Sequence, residues 1–151
     1  MRILLVEDQK EKSDDVIIFL RNALEKSADI NVRQSLRSGL KEIVCNGTYD
    51  LILLDMSMPN FDPGPDDPVG GTPESFAGRE FLAQMDLRGI FTPVIIVTQY
   101  ATFAKGQIEL KELDSFFKAE YSSFYLGSIY YSSADKAWQK KLENLLIGIV
   151  K

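Results

Sequence analysis

Three apolar runs in this chain end in groups that can do chemistry. Ile3-Leu4-Leu5-Val6 runs into Glu7-Asp8, Leu51-Ile52-Leu53-Leu54 runs into Asp55, and Val94-Ile95-Ile96-Val97 runs into Thr98. Carboxylates held within a few ångströms of one another repel and raise each other's pKa unless a cation neutralises them. Hard oxygen ligands of this kind suit Mg²⁺, which typically takes one or two protein carboxylates and keeps several waters. An Asp so placed can attack a phosphoryl donor and form an acyl phosphate, with Mg²⁺ offsetting the charge on the transferring group. Glu7, Asp8 and Asp55 are therefore the candidate chemical residues, and Thr98 is the hydroxyl beside them.

The composition removes most competing chemistries. The chain has 151 residues and no histidine. That excludes a Ser-His-Asp or Cys-His nucleophile, a His-ligated zinc and a phosphohistidine on this chain. A formal charge of -5 argues against binding a nucleic-acid backbone, which calls for a basic face. The apolar runs are too short to cross a bilayer, and the N-terminus lacks the layout of a signal peptide. One cysteine, Cys45, excludes an internal disulfide and fits a reducing compartment, so a cytoplasmic protein is expected. Cys45 itself reads as a small core residue.

Elements must bring these residues together. The runs at 3–6, 51–54 and 94–97 read as buried parallel strands, joined by a second strand at Ile30–Leu36 and a fifth at Phe124–Tyr131. Val16, Ile17, Leu20, Ala23 and Leu24 have helical spacing, with Ser13, Asp14 and Asp15 as caps near the start. Leu40, Ile43 and Val44 give a short helix closed by Asn46-Gly47. Phe76–Met85 and Ile108–Tyr121 read as helices. The last helix opens at Ser132 or Ser133 and carries Trp138, Leu142, Leu145 and Ile149 as a core face or, alternatively, a dimer seam. Five of the six prolines fall between Pro59 and Pro73, so residues 60–75 are expected to be a loop. The length fits one domain over 1–151. Five strands alternating with five helices predict a doubly wound parallel sheet, with strand C-termini along one edge, where sites form in such folds.

On these residues the chain resembles the receiver domains of two-component response regulators. The resemblance is carried by Ile3-Leu4-Leu5-Val6-Glu7-Asp8-Gln9, by Tyr49-Asp50-Leu51-Ile52-Leu53-Leu54-Asp55-Met56-Ser57-Met58-Pro59 and by Pro93-Val94-Ile95-Ile96-Val97-Thr98, with a looser match at Gly78-Arg79-Glu80-Phe81-Leu82. It implies a flavodoxin-like (CheY-like) fold, a five-stranded sheet of order 2-1-3-4-5 in three layers. It implies that Asp55 accepts a phosphoryl group from a histidine kinase or phosphotransfer protein. Mg²⁺ would be held by Asp8, Asp55 and the backbone carbonyl of Ser57 or one on the Met58 side, with Glu7 assisting through water. Thr98 would act as a switch hydroxyl on the phosphate. The protein would be a phosphoacceptor, not an enzyme. As a stand-alone receiver it would signal through a downstream protein partner, bind no nucleic acid or membrane, and have the last helix as its homodimer surface.

Two departures qualify the resemblance. Receivers carry a lysine at the end of the fifth strand; here Phe124–Tyr131 has none. Ser128 is the best alignment to it, which puts Tyr125 near the family's switch aromatic and leaves Lys105 or Lys136 as substitutes. The loop at 60–75 is also an insertion, acidic through Asp62, Asp66 and Asp67, with Gly64, Gly70 and Gly71 able to hinge it as a lid. Tyr121, Tyr125, Tyr130 and Tyr131 cluster around the fifth strand and suggest an aromatic output face. Rival readings are a pseudo-receiver that binds without phosphorylation and a Mg²⁺-dependent phosphohydrolase. The hydrolase is disfavoured because position 57 is Ser, where a second Asp would serve as acid/base.

Overall fold

A computed structural model describes residues 1–24, 28–62, 76–103 and 108–150. Strands β1 (Arg2–Val6), β2 (Asp29–Arg33), β3 (Leu51–Leu54) and β4 (Val94–Thr98) alternate with helices α1 (Lys10–Ala23), α2 (Leu36–Cys45) and α3 (Ala77–Leu87). Two-residue strands β5 (Thr102–Phe103) and β6 (Ile108–Glu109) follow, then α4 (Leu110–Glu120), β7 (Tyr125–Tyr130) and α5 (Ala137–Val150). The main sheet is parallel in the order β2-β1-β3-β4-β7. This is the expected flavodoxin-like order, with β7 as the fifth sheet strand; β5 and β6 pair separately as a small antiparallel ribbon. Ile108 therefore starts a strand instead of the helix expected there, and α4 begins at Leu110.

Alternation along the strands divides the core in two, because successive side chains point to opposite faces. Leu4, Val6, Ile52, Leu54, Val94 and Ile96 pack under α2, α3 and α4. Ile3, Leu5, Leu51, Leu53, Ile95 and Val97 pack under α1 and α5. β1, β3 and β4 are buried on both faces, hence their uninterrupted apolar sequence.

Several helix ends differ from expectation. α1 starts at Lys10, three residues before the expected caps, because the Ser13 amide already donates to the Gln9 carbonyl (3.0 Å). α5 starts at Ala137, where the amide donates to the Asp135 side chain (3.0 Å), instead of at Ser132 or Ser133. On α5 the buried residues are Trp138, Leu142 and Leu146, a strict four-residue spacing, while Leu145 and Ile149 are partly buried beside them. Cys45, expected in the core, is exposed at the end of α2. Of the four tyrosines expected to form an output face, Tyr121, Tyr125 and Tyr131 are core residues and Tyr130 is exposed.

Candidate functional site

Register carries the acidic groups to one place. Val6 of β1 lies beside Leu54 of β3, so Glu7 and Asp55 leave the sheet at the same level. The Asp55 amide donates to the Val6 carbonyl (3.1 Å), which closes the step between the two strand ends. Carboxylate oxygens of Glu7, Asp8 and Asp55 all lie within 4.8 Å of one another. Glu7 and Asp55 are buried and Asp8 is half-buried, so access is from the Asp8 side. Thr98 ends β4, fully buried, with its hydroxyl oxygen accepting the Tyr100 amide (3.2 Å). Ser57 lies in the turn after β3, half-buried, two residues beyond Asp55.

The site contains a residue that the sequence did not announce. The Lys12 side chain, in the first turn of α1, is buried; its Nζ sits 2.5 Å from Glu7 Oε1 and 3.4 Å from Asp55 Oδ1 and donates to the Val97 carbonyl (2.7 Å). Its signal was present: Lys12, Val16 and Leu20 recur at four-residue spacing, and all three are buried. Starting the helix at Ser13 hid that stripe. Of the expected substitutes, Lys136 is exposed before α5 and Lys105 lies outside the described residues.

Ser128 does not reach the acidic edge. β7 carries a register shift between Tyr125 and Gly127, whose φ of 156° is a backbone conformation that a side chain disfavours. The bulge changes which face later residues present: Tyr125 joins the α4 side of the core, whereas Ile129 and Tyr131 join the α1/α5 side. Ser128 pairs with Ile96, two residues short of Thr98, beside Asp114 of α4 in one surface pocket. Tyr125 donates to the same carboxylate (2.5 Å). At the acidic edge the strand instead ends in Tyr130 and Tyr131. The Tyr131 amide donates to the Thr98 carbonyl (2.7 Å), its ring centroid is 5.9 Å from Lys12 Nζ, and its hydroxyl donates to Asp15.

Electrostatics follow from burial and crowding. Burial pushes the Glu7 carboxyl up to about 8; Lys12 pulls it down and the Asp55 charge pushes it further up. Asp8 is also raised, by burial first and then by Asp55. Three carboxylates against one ammonium leave two formal negative charges when all are ionised (three minus one). An all-oxygen donor set with that surplus, open at Asp8, fits a divalent hard cation such as Mg²⁺.

Of the inserted loop, residues 63–75 are not described, so the expectations resting on Asp66, Asp67, Gly64, Gly70 and Gly71 lie outside the described residues. Asp62 accepts the Ser38 hydroxyl on α2 (2.9 Å) and is not part of the Glu7, Asp8 and Asp55 cluster.

No family model matches the chain. It is 31% identical over 153 residues to the uncharacterised protein y4jR of Sinorhizobium fredii (strain NBRC 101917 / NGR234), covering 99% of each. It is 30% identical over 147 residues to the Detocs response regulatory protein DtcB of Enterobacter cloacae (strain JD6301), covering 94% of this chain and 95% of that one. Among solved structures, the response regulatory domain of mrkE from Klebsiella pneumoniae shares the fold at TM-score 0.64 and 14% identity, over 99% of this chain and 95% of that one. The Mn²⁺-bound form of response regulator Rcp1 does so at TM-score 0.56 and 22% identity, over 95% and 90%.

Proposed function

The chain belongs to the response regulator receiver family, in which it has a signal-transduction role, and we propose that Asp55 is its phosphoacceptor. The observation that carries this reading is the convergence of Glu7, Asp8 and Asp55 at one buried sheet edge, next to the end of β4. In the step proposed, a carboxylate oxygen of Asp55 attacks the phosphorus of a phosphohistidine on a kinase or phosphotransfer protein. The P–N bond breaks, its electron pair returns to the donor's imidazole, and an acyl phosphate remains on Asp55. Both Met56 N–H (2.8 Å) and Lys12 engage Oδ1, which leaves Oδ2 to bond to phosphorus or metal.

Asp8, Asp55 and the Ser57 carbonyl would hold Mg²⁺, with Glu7 beside them. The ion supplies neutralisation of charge on the transferring group. Thr98, at the adjoining strand end, would donate its hydroxyl to the phosphate, a role compatible with its oxygen accepting the Tyr100 amide (3.2 Å). Output would pass through contact with a downstream protein. None of the described helices is long and apolar enough to cross a membrane, and the exposed Cys45 thiol fits a reducing, cytoplasmic setting.

The test is intact mass after incubation with acetyl phosphate and Mg²⁺. A single phosphate adduct on the wild type, absent from Asp55→Asn, is expected. An adduct that survives Asp55→Asn, or none on the wild type with any donor, overturns the assignment; a folded protein without adduct is a pseudo-receiver.

A further inference from the structure

We propose that Lys12, projecting from the first turn of α1, is the residue that binds and stabilises the phosphoryl group on Asp55, replacing the cation absent from the last sheet strand. The inference rests on the phosphoacceptor reading of Asp55. Its own support is the placement of Lys12. A buried ammonium is costly unless paired and hydrogen-bonded, and a lysine in a first helical turn opposes the helix dipole. Lys12 bears both penalties, and its ionic and hydrogen-bond compensation comes from the acidic edge, from Glu7, Asp55 and the Val97 carbonyl, with the Tyr131 ring beside it.

It is also the one buried cation among the described residues. The acyl phosphate carries roughly two negative charges at neutral pH where the Asp55 carboxylate carried one, so phosphorylation adds about one negative charge beside the carboxylates of Glu7 and Asp8. From its position 3.4 Å from Asp55 Oδ1, Lys12 needs only a rotamer adjustment to exchange Glu7 for a phosphoryl oxygen. β7 offers no alternative, since its end presents Tyr131, whose ring lies beside Lys12 and whose hydroxyl is engaged by Asp15.

The experiment compares wild type, Lys12→Gln and Lys12→Arg in two measurements. These are the rate of adduct formation with acetyl phosphate and Mg²⁺ by intact mass, and Mg²⁺ affinity by calorimetry. Gln keeps donors for Glu7 and Val97 and so guards the fold; Arg keeps the charge. Loss of a charge-assisted bond predicts adduct formation about 10- to 150-fold slower in Lys12→Gln. Mg²⁺ should bind that variant as tightly as wild type or more tightly, because a repelling charge has gone. Lys12→Arg should recover most of the rate.

A Lys12→Gln rate within about threefold of wild type overturns the proposal. So does a rate loss matched by an equal loss of Mg²⁺ affinity, which would make Lys12 a structural prop, or an Arg variant as slow as Gln. If the wild type itself takes no phosphate, the Asp55 reading fails and this inference falls with it; a wild type that labels beside indifferent Lys12 variants sinks this inference alone.

Discussion

Replacing Gly78 by alanine tests whether the phosphoacceptor is held by close packing from behind. Gly78 lies buried in the first turn of α3, and its amide donates to the Met56 carbonyl (3.0 Å). A Cβ there would stand 2.6 Å from the Asp55 carbonyl oxygen and 2.9 Å from both Met56 Cα and Met56 Sδ. Ordinary contact begins at 3.4 Å, so α3 and the Asp55–Met56 backbone must separate by 0.8 Å (3.4 less 2.6). The thioether can rotate away; the two backbone atoms cannot.

Helix propensity alone favours Ala over Gly by about 1 kcal/mol, whereas overpacking of this kind costs about 1–3 kcal/mol. The net expectation is a loss of about 0–2 kcal/mol (1–3 less 1), or a Tm lower by up to about 8 °C for a chain of this size. Gly148, exposed on α5 with nothing within 4 Å of its would-be Cβ, is the matched control. Gly148→Ala should raise Tm by about 2–4 °C. Thermal unfolding followed by the fluorescence of the single tryptophan, Trp138, reads both. A Gly78→Ala protein as stable as Gly148→Ala would refute the packing argument, and Mg²⁺ affinity should weaken in Gly78→Ala only.

Two further predictions concern the polar ties between elements. Tyr49 donates to Glu42 (2.6 Å), and that bond, ahead of Asn46 and Arg33, holds the Glu42 carboxyl below its usual range. Tyr49→Phe should cost about 1–2 kcal/mol near pH 7. Because the folded-state pKa is depressed, the stabilisation is present above the ordinary value of 4.5 and is lost as pH falls through the folded value; urea midpoints at pH 7 and pH 3 should show the gap between wild type and variant closing in acid. Tyr125→Phe removes the hydroxyl from Asp114 and loosens β7 from α4. A loss of about 1–2 kcal/mol is expected by urea unfolding, and an unchanged midpoint would mean that this tie contributes nothing.

Much of the scaffold was legible because its signals are local. A strand buried on both faces is written as an unbroken apolar run, and the polar residue that ends the run marks the edge; Val6-Glu7-Asp8, Leu54-Asp55 and Val97-Thr98 each did this. Helix starts were less legible because a cap is a competition among nearby polar groups. Ser13 and Asp14 looked better suited than Gln9, yet the chain leaving β1 already has helical bonding at Lys10. The small ribbon of β5 and β6, two residues a side, is too short for any periodic signal.

The sequence by itself determined the sheet strands that carry the site, their C-terminal ends along one edge by crossover handedness, and the identity of the acidic cluster, since hydrophobic patterning acts residue by residue along the chain; the strand order came from the family resemblance. Tertiary structure alone decided which cation accompanies that cluster. Lys12 and Asp55 are 43 positions apart (55 less 12), and whether a long flexible side chain turns to solvent or inward depends on what lies across from it. It also decided the fate of Ser128, whose face was set by the backbone bulge at Gly127 and not by its place in an alternating pattern. Strand ends are positioned by bonds that any residue makes, but a buried charge is positioned by its partners, and those partners meet only when the chain is folded.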